Sequence, residues 1–368
     1  WPKVTEPSTV DGLGFDLKWN MGWMNDFTTY MQTDPLFRKG RHGMLTFSMI
    51  YAYSEKFVLV FSHDEVVHLK GSMFAKMPGE PEEKYANLRV AYGFMMAHPG
   101  KKLLFMGQEF AQETEWNEKQ ELPWEQAEEP DHRALQQYVK ALNTFYQEHP
   151  AWYETDFDAE GFEWLSSMDA DHSIITFMRY DAKKEERLLV VCNFTPVTYE
   201  NFKIGVPVAG KYKEIFNSDQ ISFGGTGCIN ARQKSAKKIP WDGREYSLTI
   251  SVPPLGMSVY RCVPTDTMTA TVPSKRGSAR TGKTVKKRLY DKMGIGMMEL
   301  QNAMLAVQDN TTVKELTKVM GDDSVSNEKK TSFLLQYLLD QREPLLRFGQ
   351  TLLIALIVFV IGRKMVKL

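Results

Sequence analysis

Residues 57–65 read Phe-Val-Leu-Val-Phe-Ser-His-Asp-Glu: an unbroken apolar run, then Ser62, then His63, Asp64 and Glu65 in succession. A run this short, β-branched and aromatic, predicts a strand buried on both faces, as in parallel sheets covered by helices. The run therefore predicts an α/β architecture that delivers three polar, titratable side chains together where one strand ends.

The flanking sequence alternates in the way this requires. Residues 12–19 and 102–106 read as further strands. Pro81-Glu82-Glu83 opens a helix carrying Leu88, Tyr92 and Met95 at helical spacing. A last helix from about Asp131 places Leu135, Tyr138, Val139, Leu142 and Phe145 on one face and stops at His149-Pro150. Strand-then-helix order over residues 1–150 is that of a (β/α)8 barrel, whose functional groups gather at the carboxyl ends of its strands. From about Trp152 to Val263 the period falls to two, with short runs at 173–180, 187–194, 210–216, 246–252 and 256–262 parted by Gly, Pro, Asn and Asp. That is the pattern of an antiparallel β-sandwich.

Composition narrows the function classes. Lys plus Arg number 45 and Asp plus Glu 46 in 368 residues, a formal charge of −1 that gives no pull toward nucleic acid. Cys192, Cys228 and Cys262 are far apart and form no Cys-x-x-Cys pair, which suits a reducing cytosol and argues against a disulfide scaffold or a zinc site. No signal peptide is read at the start.

Four further stretches carry a family resemblance: Gly-Leu-Gly-Phe-Asp-Leu-Lys-Trp-Asn-Met-Gly-Trp-Met (12–24), Leu-Thr-Phe-Ser-Met (45–49), Val-Val-His-Leu-Lys-Gly-Ser (66–72) and Pro-Gly-Lys-Lys-Leu-Leu-Phe-Met-Gly-Gln-Glu-Phe (99–110). With residues 57–65 they resemble bacterial 1,4-α-glucan (glycogen) branching enzymes of the α-amylase superfamily, in order from Trp1 to about Val263. The resemblance implies that residues 1–150 are the last three strands of a (β/α)8 barrel. It also implies that residues 151–263, with Val-Cys-Asn-Phe-Thr-Pro (191–196) and Val-Pro-Pro-Leu-Gly-Met (252–257), are the family's C-terminal β-sandwich. The activity it implies is cleavage of an α-1,4 glucan bond and formation of an α-1,6 branch by retaining double displacement in the cytoplasm, with glycogen or amylose as substrate and no cofactor. That chemistry needs a nucleophile and an acid/base carboxylate about 5 Å apart. In the family these lie in Arg-x-Asp-Ala-Val and Ala-Glu-Glu motifs at earlier strand ends, and neither motif is expected in this chain. The expectation is a piece of a longer protein that holds one of three catalytic carboxylates and is inactive alone.

By the same resemblance Asp64 binds hydroxyls of the reacting sugar and helps distort its ring, and His63 donates to that sugar. Read without it, Asp64 is equally a turn cap at a polar strand end. Trp19, Trp23, Glu65 and Glu109 are the candidate substrate-binding residues. Indole faces stack on sugar rings, although Trp19 and Trp23 also suit barrel packing, and Glu109 suits a structural hydrogen bond. Trp116, Trp124, Trp152 and Trp164 are expected to anchor barrel to sandwich. A metal site from His63, Asp64, Glu65 and His68 is disfavoured, since adjacent residues leaving a strand diverge.

Past Val263 the pattern changes. Residues 264–289 hold Lys275, Arg276, Arg280, Lys283, Lys286, Lys287 and Arg288 among Ser, Thr and Gly, a basic flexible linker or a patch for anionic headgroups. Helical periodicity marks 290–344. Residues 348–362 are uncharged and apolar, about 22 Å as a helix against a bilayer core of about 30 Å. With flanking residues, 345–368 is expected to form a transmembrane helix that anchors the protein, or else a partner-binding helix. This segment weakly resembles the first transmembrane helix of small-conductance mechanosensitive channel proteins. The competing function is accordingly a membrane-tethered, non-catalytic module that contacts glucan or belongs with a channel.

Overall fold

The structure, a computed structural model, describes residues 3–265. Residues 266–289 of the expected linker, the helical segment expected at 290–344 and the membrane helix expected at 345–368 lie outside the described residues. Among the described residues no helix is long and apolar enough to cross a membrane.

Three parallel strands form the first sheet, in the order β1 (Lys18–Trp19), β2 (Phe57–Phe61), β3 (Lys101–Leu104). Lys18 pairs with Phe57 and Val58 with Lys101, so all three strands end on the same side. Every residue of the central strand is buried, as its apolar run requires. The expected strand over 12–19 shrinks to its last two residues. Gly14, at φ 74°, turns the chain, and residues 13–15 hydrogen-bond back to Lys3, Glu6 and Val4. Glu55 then ties this loop down, accepting from the Val4 and Thr5 amides at 2.8 Å each and from the Thr5 hydroxyl at 2.6 Å.

Helices α1 (Met21–Gln32), α4 (Pro81–Ala97) and α5 (Pro130–Glu148) cover the sheet, with single turns α2 (Gly43–Thr46) and α3 (Met73–Lys76) between them. Asn20 caps α1 by accepting from the Trp23 amide at 2.9 Å. Pro81 sits in the first turn of α4. The five apolar residues read on the last helix are all buried in α5, which ends at Glu148 as the following His-Pro predicts.

Six antiparallel strands make the larger sheet of the second half, ordered β4 (Phe162–Asp169), β5 (Ile174–Tyr180), β6 (Arg187–Asn193), β11 (Gly256–Pro264), β8 (Gly210–Asn217), β9 (Lys234–Ser235). A two-stranded sheet of β7 (Tyr199–Val206) and β10 (Tyr246–Val252) packs on one face of it. Met178, Leu189, Val191 and Tyr260 meet Ile204, Leu248 and Ile250 in that core. The alternate residues Phe177, Leu188, Val190, Cys192 and Val259 belong instead to the core of α1, α4 and α5. Gly93, inside α4, allows this contact: a Cβ there would lie 2.7 Å from the Tyr138 hydroxyl and 2.9 Å from the Met257 methyl.

The change of architecture near residue 150 is therefore not a break in the core, and the described residues fall within one compact unit, Trp1–Ala270. Fully buried Arg38 bridges the halves, donating to the Met31, Thr33 and Phe194 carbonyls and to Asn87 Oδ1. A second bridge centres on buried Asp156, which accepts from Arg179 at 3.1 Å, Lys101 at 3.1 Å and Tyr146 at 3.0 Å.

Candidate active site

The chain leaves β2 at Ser62 and turns at once. Ser62 Oγ accepts from the Asp64 amide at 3.2 Å, while Glu65 Oε2 receives the Ser62 amide at 2.5 Å and the Ser62 hydroxyl at 2.8 Å. This reciprocal capping box closes a single 3-10 turn, His63–Glu65. It also separates the three polar residues. Glu65 is 4 % exposed with its carboxylate engaged by the cap, so the substrate-binding role read for it gives way to a structural one. His63 and Asp64 project outward, with side chains 48 % and 51 % exposed and His63 Nε2 lying 3.3 Å from Asp64 Oδ1.

Loops from two strand ends hold the turn. Lys70 Nζ donates to the Asp64 carbonyl at 2.7 Å. His68 and Leu69 both take left-handed backbone angles, φ 57° and 65°, and swing the chain toward the loop that follows β3. There Glu115 accepts the Gly71 amide at 2.8 Å, the Glu113 carbonyl accepts the Ser72 hydroxyl at 2.7 Å, and the Val66 carbonyl accepts the Trp116 amide at 3.0 Å. The Gly71 amide, aided by those of Leu69 and Lys70, holds the Glu115 carboxyl below the usual carboxylate range. Phe105, just past β3, lies 5.8 Å from the His63 ring and 5.1 Å from the perpendicular Trp116 ring.

Trp19 ends β1 level with Val58, near the start of β2, and is not brought to the turn that carries Asp64; at 42 % exposed, its ring is open to a ligand. Trp23 is not. It is 1 % exposed and packs against Phe27, Phe61 and His98, because the Asn20 cap sets a phase that turns positions 23, 27 and 30 into the core. A buried indole has no face left for sugar, which corrects the reading of Trp23. Glu109 lies in the turn Gln108–Phe110 and lines a hollow of about 290 Å3 with Gln136, Lys140 and Asn143 of α5, so it is not brought beside His63 and Asp64.

Sequence reasoning missed Lys70, Phe105 and the inward-facing part of Trp116. Trp116 and Trp124 bound a hollow of about 410 Å3 with Gln112, Asn117 and Glu121 in the loop after β3. The two indoles, eight positions apart in a polar stretch, were the available signal. Of the four anchoring tryptophans expected, Trp152 is fully buried in the shared core and Trp164 packs against it. The tripeptide Ala127-Glu128-Glu129 does spell one motif expected upstream, but it lies in a surface turn before α5, with Glu128 paired to Arg133. Among the described residues no three His, Cys, Asp or Glu side chains could hold a metal ion.

Asp64 thus offers acceptor oxygens, and His63 a ring nitrogen, on a braced turn. Such an arrangement can grip neighbouring hydroxyls of a polar ligand.

Comparison with known proteins finds a matching family model and similar curated sequences. Residues 164–263 match the family described as the alpha amylase C-terminal all-beta domain. The chain is 52 % identical over 257 residues to the 1,4-alpha-glucan branching enzyme GlgB of Aquifex aeolicus, covering 70 % of this chain and 41 % of that one. The GlgB of Halothermothrix orenii is 50 % identical over 261 residues, 71 % of this chain and 41 % of its own, and that of Shewanella frigidimarina 48 % over 260 residues, 71 % and 35 %. A crystal structure of alpha-amylase from H. orenii aligns at 15 % identity and a TM-score of 0.42, over 68 % of this chain and 49 % of its own. None of these matches supports the channel likeness. The chain spans about two-fifths of the length of the curated relatives it matches, and over that span it is similar to 1,4-alpha-glucan branching enzymes, with residues 164–263 similar to the alpha amylase C-terminal all-beta domain.

Proposed function

We propose that this chain is the part of a 1,4-α-glucan branching enzyme that presents its third catalytic carboxylate. Asp64 holds sugar hydroxyls through the transition state, His63 donates beside it, and Trp19 carries a sugar face. The three parallel strands are then the last three of a (β/α)8 barrel, and the substrate is an α-glucan. The observation that carries the reading is the division of labour in residues 62–65, where the cap consumes Glu65 and leaves Asp64 exposed at the strand end.

The chemistry explains why a carboxylate belongs there. A retaining transfer passes through an oxocarbenium-like transition state in which the ring flattens and its hydroxyls shift. Hydrogen bonds to those hydroxyls accelerate the step only as far as they strengthen in that geometry. A carboxylate carried on a backbone turn that is itself braced keeps its place while the sugar changes shape, so its bonds are best where the turn puts it.

The test is a chimera in which this chain replaces the matched segment of the Aquifex aeolicus GlgB. The chimera is expected to form α-1,6 linkages on amylose, scored by debranching. Asp64→Asn should lower kcat by roughly a hundredfold or more, the scale of losing transition-state hydrogen bonds, with KM little changed. Branching that survives Asp64→Asn would remove the assignment.

A further inference from the structure

Between β2 and α3 the backbone takes a course that its own residues do not favour. His68, Leu69 and Gly71 hold left-handed angles of φ 57°, 65° and 73°, and only the glycine does so without steric cost. Leu69 is 98 % exposed, so no packing of its side chain offsets that cost. What fixes the segment is its backbone polar groups, which are gripped from two sides.

Glu115, from the loop after β3, collects the amides. It accepts from Gly71 at 2.8 Å, and the Leu69 and Lys70 amides act on the same carboxylate. Lys76, from α3, collects the carbonyls: it donates to those of Lys70 and Gly71, and its charge also bears on Glu115. Consecutive amides turned inward by left-handed residues make a concave anion cradle, and here the anion is a side chain of the same protein. Two links lead from this cradle to the turn that carries His63 and Asp64. Lys70, inside the cradle, donates through Nζ to the Asp64 carbonyl at 2.7 Å. Trp116, next to Glu115, donates its amide to the Val66 carbonyl at 3.0 Å and sets its ring on Phe105, whose ring lies 5.8 Å from that of His63.

We infer that Glu115 is a positioning residue, an internal anion whose seat among the amides of residues 69–71 holds the Asp64 turn in its working place, and that this seat takes a small free carboxylate when the side chain is removed. The use made of the turn rests on the proposed function above; the cradle does not. Without an anion the inward amides lose their acceptor, and nothing opposes the strain at His68 and Leu69. The segment then relaxes, and Lys70 leaves the Asp64 carbonyl. A neutral amide cannot stand in, since a carboxamide offers one oxygen and its NH2 group meets other donors. A small carboxylate can, because the amides and the Lys76 charge are already in place for it.

The first readout is hydrogen exchange at the Gly71 amide in the full chain. Glu115→Ala should lower its protection about tenfold or more, and added formate should restore it saturably, with chloride at equal ionic strength as the control. Glu115→Gln should lose protection and not respond to formate, since its side chain still fills the seat. The second readout is branching by the GlgB chimera. There Glu115→Ala should lower kcat about tenfold with KM little changed, the mark of a misplaced group rather than of lost substrate binding, and formate should return most of it. Protection that survives Glu115→Ala, or a loss of protection or of kcat that formate does not reverse, overturns the inference. Glu115→Asp keeps the charge one methylene short and should protect Gly71 better than the isosteric Glu115→Gln; the reverse order overturns the inference even where the alanine variant does not fold. Formate-restored protection at Gly71, with chimera branching intact in Asp64→Asn, would sustain the cradle and sink the proposed function instead.

Discussion

Arg38 is fully buried and faces no carboxylate closer than the exposed Asp34, yet the two halves of the protein meet around it. Its guanidinium serves four acceptors: the Thr33 carbonyl at 3.0 Å, the Met31 carbonyl and Asn87 Oδ1 at 2.8 Å, and the Phe194 carbonyl at 2.7 Å. Charge-assisted bonds at about 1.5–2 kcal/mol each make roughly 7 kcal/mol of gross stabilisation. Burying the charge, which drags its pKa down to about 10, takes back roughly 3 kcal/mol. Arg38→Ala should therefore cost about 4 kcal/mol, a large share of the 5–15 kcal/mol that holds an ordinary domain. Arg38→Lys should recover half or less, because an ammonium concentrates its three donors at one point and cannot span acceptors on α1, α4 and β6. Urea unfolding followed by the fluorescence of buried Trp23 and Trp152 reads the difference directly. A loss below 1 kcal/mol for Arg38→Ala, or a lysine variant as stable as the parent, would refute the claim that a forked donor joins the halves.

Three more outcomes follow from other parts of the structure. Burial works to raise the Glu55 carboxyl, but the Thr5 hydroxyl and amide, the Val4 amide and Lys18 outweigh it and hold it at about 2. Since the folded value is the depressed one, Glu55 stabilises fully above about pH 4.5 and loses that contribution as pH falls toward 2; the protection factors of the Val4 and Thr5 amides, measured against the intrinsic rate at each pH, should fall across this window, and not in Glu55→Gln, where they should be low throughout. Burial pushes the Lys102 amine down to about 7, so its folded form favours the neutral amine and stability should climb between about pH 7 and 10; Lys102→Met should be more stable than the parent at pH 7 and lose the climb, as denaturant midpoints across that range would show. Residues 151–265 expressed alone should not fold cooperatively. Phe177, Leu188, Val190, Cys192, Phe216, Met257 and Val259 would lose their cover, at about 1.5–3 kcal/mol for each large side chain, and a sharp thermal transition with native near-ultraviolet dichroism would contradict this.

Much of the fold was legible because burial imposes a period. β2, α5 and the five expected sandwich strands follow from where apolar residues recur, and their ends fall within a few residues of the expected ones. What failed depends on contacts distant in sequence. Residues 12–17 alternate like a strand, but Glu55, some forty positions on, fastens the preceding residues so that the segment folds back. β4 and β7 were passed over because Ser166-Ser167 and Glu200-Asn201 interrupt their patterns; β4 is an edge strand, and β7 belongs to a sheet of only two, so neither must be apolar throughout. Alternation along the sandwich strands says that one face is buried, without saying that the other is buried too.

The site was half legible for a different reason: the information was local, and a competing use of the same residues decided it. Ser62-His63-Asp64-Glu65 can be read as three chemical groups at a strand mouth, or as Ser at a helix cap with Glu three positions later. Both readings hold, for different residues. A capping box commits its first and fourth side chains to the backbone, so Ser62 and Glu65 are spent on forming the turn. The second and third positions lie on its outer side, and only there can a side chain meet a ligand. The same argument separates the two tryptophans: Trp19 precedes the Asn20 cap and stays exposed, while Trp23 follows it by three positions and is carried into the core with Phe27 and Tyr30. Where a strand runs straight into a capped turn, the cap rather than the list of reactive residue types determines which of them can do chemistry.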